Sequence, residues 1–263
     1  MNTIKAKKGL GQHFLRSEKA LQQIVDCINV DISVPVFEIG PGEGVLTRKV
    51  LEKGYKVKAV EIDREAITYL NDVFFKEIQD GKLEIIERNV LEMEYPGKYY
   101  LLGNIPYYIT GAIFRHTFEQ KNLPSGAVFL IQKEVGERIV ARDKKESILS
   151  ISVKIFGEAK VVDVVKAGSF SPPPKVDSVI LKVENIRSPF GSGSERVKIE
   201  KEFFRFLRAA FAHKRKFVLS NIKTELGEEE KVFMQKYVTE KQRAEDIPLN
   251  VWKEIASDLN LQN

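Results

Sequence analysis

The chain has 263 residues, 43% apolar and 30% charged, with a net charge of +5. This composition excludes a disordered chain, and no apolar run approaches the ~20 residues of a membrane span. A single cysteine, Cys27, excludes an internal disulfide and a cysteine-based zinc site, and His13, His116 and His213 lack ligand spacing.

No metal is expected. The basic opening residues lead into no apolar signal core, so the expected location is the cytoplasm. Positive charge is concentrated: residues 185–225 hold ten Lys/Arg against four Asp/Glu, and residues 226–263 hold five against eight. Such a concentration favours a polyanionic partner.

In chain order, residues 5–13 combine two glycines with mixed polarity and predict an irregular arm. Ser17 suits an N-cap, and Ala20, Leu21, Ile24, Val25 and Ile28 recur at helical spacing. Val34-Pro35-Val36-Phe37-Glu38-Ile39 predicts a strand, Gly40-Pro41-Gly42-Glu43-Gly44 a glycine loop, and residues 45–51 a helix that stops at Gly54. This order lets backbone pass close to a ligand and turns free N–H groups toward it. Residues 57–63 form a second strand ending in acid. Glu61 lies about twenty residues past the loop, where a carboxylate can accept both ribose hydroxyls of a nucleoside. The loop is Gly-x-Gly-x-Gly. A dinucleotide fingerprint would put its third glycine at position 45, which is Val45.

Residues 64–78 predict one helix, with Ile67, Leu70, Phe74 and Ile78 on one face. Residues 83–87 form a third strand, followed by Arg88-Asn89-Val90, where a plain turn is an alternative to a ligand contact. Residues 99–103 form a fourth strand ending in Asn104-Ile105-Pro106-Tyr107. Ligands of open α/β sheets bind at that edge. An amide side chain and a neighbouring peptide carbonyl can accept the two N–H groups of an exocyclic amine. Proline fixes the backbone, and an aromatic can stack on the ring. A strand ending in a turn is the alternative.

Further helices are predicted at 110–119, 134–141 and 147–156, and strands at 127–131, 160–166 and 178–184. Between the last two strands, Ser171-Pro172-Pro173-Pro174 stiffens a loop that either presents Phe170 for stacking or anchors it in the core. Residues 188–194 have linker composition. Beyond them Phe203, Phe204, Leu207, Ala210 and Phe211 make a helical stripe, accompanied by Arg205, Arg208, Lys214, Arg215 and Lys216. Trp252 suits a core anchor. The expected architecture is an α/β sheet with helices on both faces (1–184), a linker (185–194) and a small all-α domain (195–263) whose basic residues contact phosphates.

Jointly, these motifs resemble the KsgA/Dim-type rRNA adenine N6-dimethyltransferases. The match is carried by Gly11-Gln12-His13-Phe14-Leu15, Glu38-Ile39-Gly40-Pro41-Gly42-Glu43-Gly44 and Gly103-Asn104-Ile105-Pro106-Tyr107-Tyr108-Ile109-Thr110. Gln132-Lys133-Glu134-Val135-Gly136-Glu137-Arg138 and Phe170-Ser171-Pro172-Pro173-Pro174-Lys175-Val176-Asp177-Ser178 add to it. Phe211-Ala212-His213-Lys214-Arg215-Lys216 resembles the family's basic C-terminal helix. The resemblance implies a class I S-adenosylmethionine-dependent methyltransferase. It implies transfer of four methyl groups to N6 of two adjacent adenines in the 3′-terminal hairpin loop of small-subunit (16S) rRNA. The implied partner is an assembling 30S particle, and the expected enzyme is a monomer.

By position, the resemblance assigns cofactor contacts to Gln12, His13, Leu15, Gly40, Gly42, Gly44, Glu61, Ile62, Asn89, Val90 and Asn104. It assigns the reaction to Asn104, Ile105, Pro106 and Tyr107, and RNA contacts to Tyr107, Phe170, Arg205, Arg208, Lys214, Arg215 and Lys216. The family commonly has Asn at the position of His13 and Asp at that of Asn89. Three rivals remain: an Erm-type 23S rRNA dimethyltransferase, a dehydrogenase on a Rossmann fold, and a non-catalytic assembly or transcription factor. The 132–135 and triple-proline stretches favour the small-subunit enzyme over the first.

Overall fold

The structure is a computed structural model that describes residues 4, 6, 7, 9, 11–191 and 193–261. Met1, Asn2, Thr3, Lys5 and Lys8 of the basic opening stretch, and Ser192 of the linker segment, lie outside the described residues. In chain order the elements are β1 (Phe14–Leu15), α1 (Glu18–Asp26), β2 (Val36–Ile39), α2 (Val45–Glu52), β3 (Val57–Glu61), α3 (Arg64–Val73) and α4 (Phe75–Gln79). There follow β4 (Leu83–Glu87), β5 (Tyr100–Asn104), α5 (Thr110–Glu119), β6 (Ala127–Gln132), α6 (Lys133–Ile139), α7 (Ile148–Lys154), β7 (Glu158–Val165), β8 (Phe170–Ser171) and β9 (Ser178–Glu184). Helices α8 (Gly193–Ala210), α9 (Val218–Glu225), α10 (Glu228–Met234) and α11 (Leu249–Leu261) complete the chain.

The chain divides into two compact units, residues 1–136 with 158–186 and residues 137–157 with 187–263. The first holds a seven-stranded sheet of order β4-β3-β2-β5-β6-β9-β7. Strands β4 to β6 pair in parallel, and β9 and β7 are antiparallel. The first five residues of β6 and the first four of β5 are buried, as expected for parallel strands covered on both faces. β7 lies at the sheet edge and alternates exposed with part-buried residues. The strand order reverses between β2 and β5, so the C-terminal ends of β2, β3 and β5 flank a crevice.

Two local features differ from the sequence expectation. The single helix expected over 64–78 breaks at Phe74, whose backbone leaves helical geometry (φ −110°, ψ 25°) as its ring becomes fully buried. The Arg48 guanidinium covers that ring at 4.6 Å. Second, Phe14 and Leu15 pair antiparallel with Ser171 and Phe170 in a separate two-stranded sheet, so the N-terminal arm is tied to the proline loop. Arg16 N–H donates to Ser169 O at 2.7 Å beside it.

The second unit is helical. Trp252 is fully buried and meets the rings of Phe203 and Phe211, each at 6.2 Å. Residues 137–157, expected within the first domain, pack in this unit. The linker expected over 185–194 contains a core residue instead: Phe190 is fully buried against Phe156 (5.7 Å) and Phe203 (5.3 Å). Its apolar ring overrides the surrounding Ser/Gly composition. The basic helix expected at 211–216 is also replaced. α8 ends at Ala210, where Asn221 Nδ2 donates to the carbonyls of Ala210 (2.7 Å) and His213 (3.1 Å). Lys214, Arg215 and Lys216 therefore stand in an exposed turn before α9.

Candidate active site

A cavity of about 270 Å³ opens in the first unit at the strand-order reversal. Its walls come from the glycine loop, the ends of β3, β4 and β5, and the N-terminal arm. Of the residues expected there, Gln12, His13, Gly40, Gly42, Glu61, Ile62, Asn89, Val90 and Asn104 through Tyr107 line it.

The glycine loop has three left-handed residues, Gly40 (φ +63°), Gly42 (φ +56°) and Gly44 (φ +74°). They differ in what a side chain would meet. A Cβ on Gly40 would enter open space, so backbone is exposed to a ligand there. One on Gly42 would lie 2.8 Å from the Phe14 ring, which closes the cavity wall. One on Gly44 would lie 2.4 Å from Phe74, away from the cavity.

Glu61 ends β3. Its Oε1 accepts from the N–H groups of Ile62 (2.8 Å) and Asp63 (2.9 Å), while among the described residues Oε2 accepts only a long bond from Gly42 N–H (3.4 Å). The first set fixes the carboxylate, and Oε2 retains acceptor capacity for a sugar hydroxyl. Asp63 caps α3 through Glu65 N–H (3.0 Å) and also accepts from Lys7 Nζ (2.5 Å) and Gln12 Nε2 (3.3 Å). Gln12 Oε1 in turn accepts from Lys7 N–H at 2.8 Å. The Gln12 amide thus holds the arm in place at the cavity edge.

At the other end, Asn89 Oδ1 accepts from Leu91 N–H (3.1 Å) and its Nδ2 donates to Glu92 (3.2 Å). Asn89 therefore caps a short 3-10 turn, and Oδ1 keeps a second lone pair for an adenine amine. Ile62, 56% exposed, and the buried Val90 offer apolar surface for a ring.

Asn104 is oriented by chemistry rather than by packing alone. Its Nδ2 donates to the His13 carbonyl at 2.8 Å. A carbonyl can only accept, so the amide nitrogen is committed and Oδ1 is the group left to accept from a ligand. Ile105 N–H donates to Leu130 O (3.1 Å), fixing the next peptide. Gly103 precedes them because β2 runs too close for a side chain: a Cβ there would lie 2.8 Å from Ile39 O. Tyr107 is half-buried. Its hydroxyl shares a 2.8 Å hydrogen bond with Ser178 Oγ, and burial pushes its phenol above the ordinary range, which keeps it neutral. The His13 ring stacks on Tyr107 (5.9 Å, 22°) and donates from Nδ1 to Pro172 O at 2.8 Å.

Three expected contacts do not reach the cavity. Leu15 and Phe170 are buried in the core on the paired strands β1 and β8, because an apolar side chain on a covered strand points inward. Phe170 is the loop anchor, not a presented platform. Gly44 serves α2 and the Phe74 pocket. The basic residues Arg205, Arg208, Lys214, Arg215 and Lys216 belong to the second unit. Arg205 is bound by Glu202 (2.5 Å) and Glu230 (3.0 Å), so much of its charge is already compensated. Arg208, Lys214, Arg215 and Lys216 are exposed. Tyr108 and Phe14 were not singled out from the sequence as contacts, yet both line the cavity. Their signal was position: each adjoins a residue assigned to the site.

Glu38 lies beneath the loop, fully buried, and accepts from Thr47 Oγ1 at 2.6 Å. Burial pushes its carboxyl up to about 7, despite the Thr47 bond, and the nearby Glu61 adds to the rise. The group thus holds its proton in the folded state at pH values where the unfolded chain has lost it. Its stabilising contribution is complete below its ordinary range and is lost as pH rises through about 7. Glu38→Gln should flatten stability against pH across this window, by up to about 3 kcal/mol. Urea denaturation of both proteins at about pH 5 and about pH 8 checks this.

The cavity offers a carboxylate oxygen for hydroxyls, apolar walls for a ring, an amide oxygen for an amine and open glycine backbone. These fit an adenosyl group with an amino-acid tail. Fold and site together define a class I S-adenosylmethionine-dependent methyltransferase. The ribosomal RNA adenine dimethylase family matches residues 3–260, and the chain belongs to that family. It is 35% identical to ribosomal RNA small subunit methyltransferase A of Dehalococcoides mccartyi, over 96% of this chain and 88% of that protein. It is 36% identical to the protein of the same name from Desulfitobacterium hafniense, over 95% and 91%. Among solved structures, a dimethyladenosine transferase from Plasmodium falciparum superposes with a TM-score of 0.77 at 26% identity, covering 95% of this chain and 98% of that one. The 23S rRNA methyltransferase ErmE shares the fold, with a TM-score of 0.73 at 23% identity over 94% and 99%.

Proposed function

We propose that the enzyme dimethylates N6 of two adjacent adenines in the 3′-terminal hairpin loop of small-subunit rRNA, acting as a cytoplasmic monomer on an assembling small-subunit particle. The observation that carries this reading is the Asn104 amide, turned by the His13 carbonyl so that its oxygen is the free acceptor beside the cofactor cavity. Family membership and the relatives' names support the substrate class.

Bound S-adenosylmethionine supplies an electrophilic sulfonium methyl group. The residues supply the rest. Adenine N6 is a weak nucleophile because its lone pair is delocalised into the ring. Asn104 Oδ1 and the Ile105 carbonyl accept its two hydrogens and favour a more tetrahedral nitrogen. Pro106 holds these acceptors in register, and Tyr107, braced by His13 and Ser178, offers an aromatic wall to the flipped base. Orientation contributes much of the acceleration. Glu61 holds the ribose, Asn89 the cofactor amine, and Ile62 and Val90 its ring. Arg208, Lys214, Arg215 and Lys216 contact RNA phosphates, each contact adding to the salt dependence of binding.

The test is transfer of labelled methyl groups to unmethylated small subunits, with large-subunit rRNA as the comparison. Dimethyladenosine in the small-subunit RNA is the expected product. Labelling of large-subunit RNA alone, or of neither, refutes the reading.

A further inference from the structure

Two consecutive tyrosines close the target-base motif, and they have opposite environments. Tyr107 is half-buried and hydrogen-bonded to Ser178. Tyr108 is 66% exposed, although it lines the same cavity. Its hydroxyl has no hydrogen bond to another described residue. No bond to a described residue holds the hydroxyl, so the ring is available to a ligand at the cavity.

The ring lies beside the N-terminal arm and is otherwise largely exposed. Its inner edge rests on the arm at Gly11, where an added Cβ would lie 3.4 Å from both Cδ1 and Cε1. Gly11 has a φ of +60°, a left-handed backbone conformation that favours glycine and sets the course of the arm beside the ring. The backbone carrying Tyr108 is also fixed. Ile109 N–H donates to Pro106 O at 3.2 Å, and Thr110 Oγ1 reaches the carbonyls of Pro106 (3.4 Å) and Tyr107 (3.2 Å). A largely exposed aromatic on a fixed backbone at a cavity wall is a stacking platform for a planar ligand that reaches it at little entropic cost.

We propose that Tyr108 is a specificity-determining residue that stacks on the unpaired base next to the adenine in the cavity. This rests on the function proposed above. A base flipped into the cavity leaves its neighbour at the mouth, one nucleotide away, with a bare face that has lost its stacking partner. Tyr108 replaces that partner. The recognised element is therefore an unpaired dinucleotide step rather than a lone adenine. When the second adenine enters the cavity, the base on its other side takes the same platform.

Two measurements separate this proposal from the function on which it rests. The first is binding of a hairpin RNA with two adjacent loop adenines, one carrying a 2-aminopurine reporter beside the target, to wild type, Tyr108→Ala, Tyr108→Phe and Tyr108→Trp. Tyr108→Ala is expected to weaken binding about 10- to 100-fold and to relieve quenching of the reporter, whereas Phe and Trp restore both. The second is calorimetric binding of S-adenosylmethionine, which should stay within about twofold of wild type in every variant. Tyr108→Ala binding the hairpin like wild type, a loss that Phe does not restore, or a matching loss of S-adenosylmethionine affinity each overturns the proposal. Neither measurement requires turnover. A wild type that fails to methylate small subunits therefore refutes the function, while Tyr108-dependent hairpin binding still decides the platform.

Discussion

Replacing Asn104 with alanine is expected to lower kcat for adenine methylation by about 10²- to 10³-fold, the usual cost of removing a preorganised acceptor or donor at a reacting group. S-adenosylmethionine affinity should change by less than about threefold. Both follow from the same bond. The amide nitrogen is committed to the His13 carbonyl at 2.8 Å, so the oxygen lost on truncation is the one that faces a substrate amine. Asn104→Asp is the sharper comparison. It keeps the size and an acceptor, but it puts a carboxylate oxygen against a carbonyl oxygen and has no N–H to donate. It should therefore be as inactive as the alanine variant, despite its extra charge. Single-turnover methylation of unmethylated small subunits, paired with calorimetry of the cofactor, reads both. Aspartate activity near wild type would remove the role given to amide orientation.

Gly44→Ala is expected to be the most destabilising small substitution in the glycine loop, lowering unfolding free energy by about 2–5 kcal/mol. Two costs add. The position is left-handed at φ +74°, which costs a side-chain-bearing residue about 1–2 kcal/mol. The new methyl would also sit 2.4 Å from the Phe74 ring and 2.8 Å from Leu70 Cδ2, in a region with no slack, and such overpacking costs about 1–3 kcal/mol. A double variant with Phe74→Leu should show less than additive loss, because shortening that side chain relieves the second cost and leaves the first. Denaturant unfolding of the four proteins in the cycle checks the coupling. Gly40→Ala, by contrast, meets no atom within 4 Å and should destabilise mainly through its φ of +63°.

These two glycines show what was legible in the chain and what was not. The pattern Gly-x-Gly-x-Gly located the loop, and strand spacing placed Glu61 and Asn104 at one edge of the sheet. Local periodicity suffices for that, since each element is written in its own residues. Placement within the loop was not legible. Gly40 and Gly44 are chemically identical, and only the fold decides that one borders the cavity and the other meets Phe74. Phe170 and Phe190 failed for a related reason. Prolines and Ser/Gly residues around them describe backbone stiffness and solubility, while the fate of the ring depends on partners distant in sequence, Leu15 in one case and Phe156 and Phe203 in the other. The basic stretch after Ala210 reads as helix until Asn221, one turn into the next helix, takes the terminal carbonyls.

The acceptor that orients Asn104 belongs to the main chain. Every amino acid at position 13 carries that carbonyl, so no single substitution there can delete it. The orientation of Asn104 is in this sense insulated from mutation of its partner's side chain. The His13 imidazole spends its own bonding elsewhere, on Pro172 and Tyr107. One residue thus serves Asn104 through its main chain and the proline loop through its side chain.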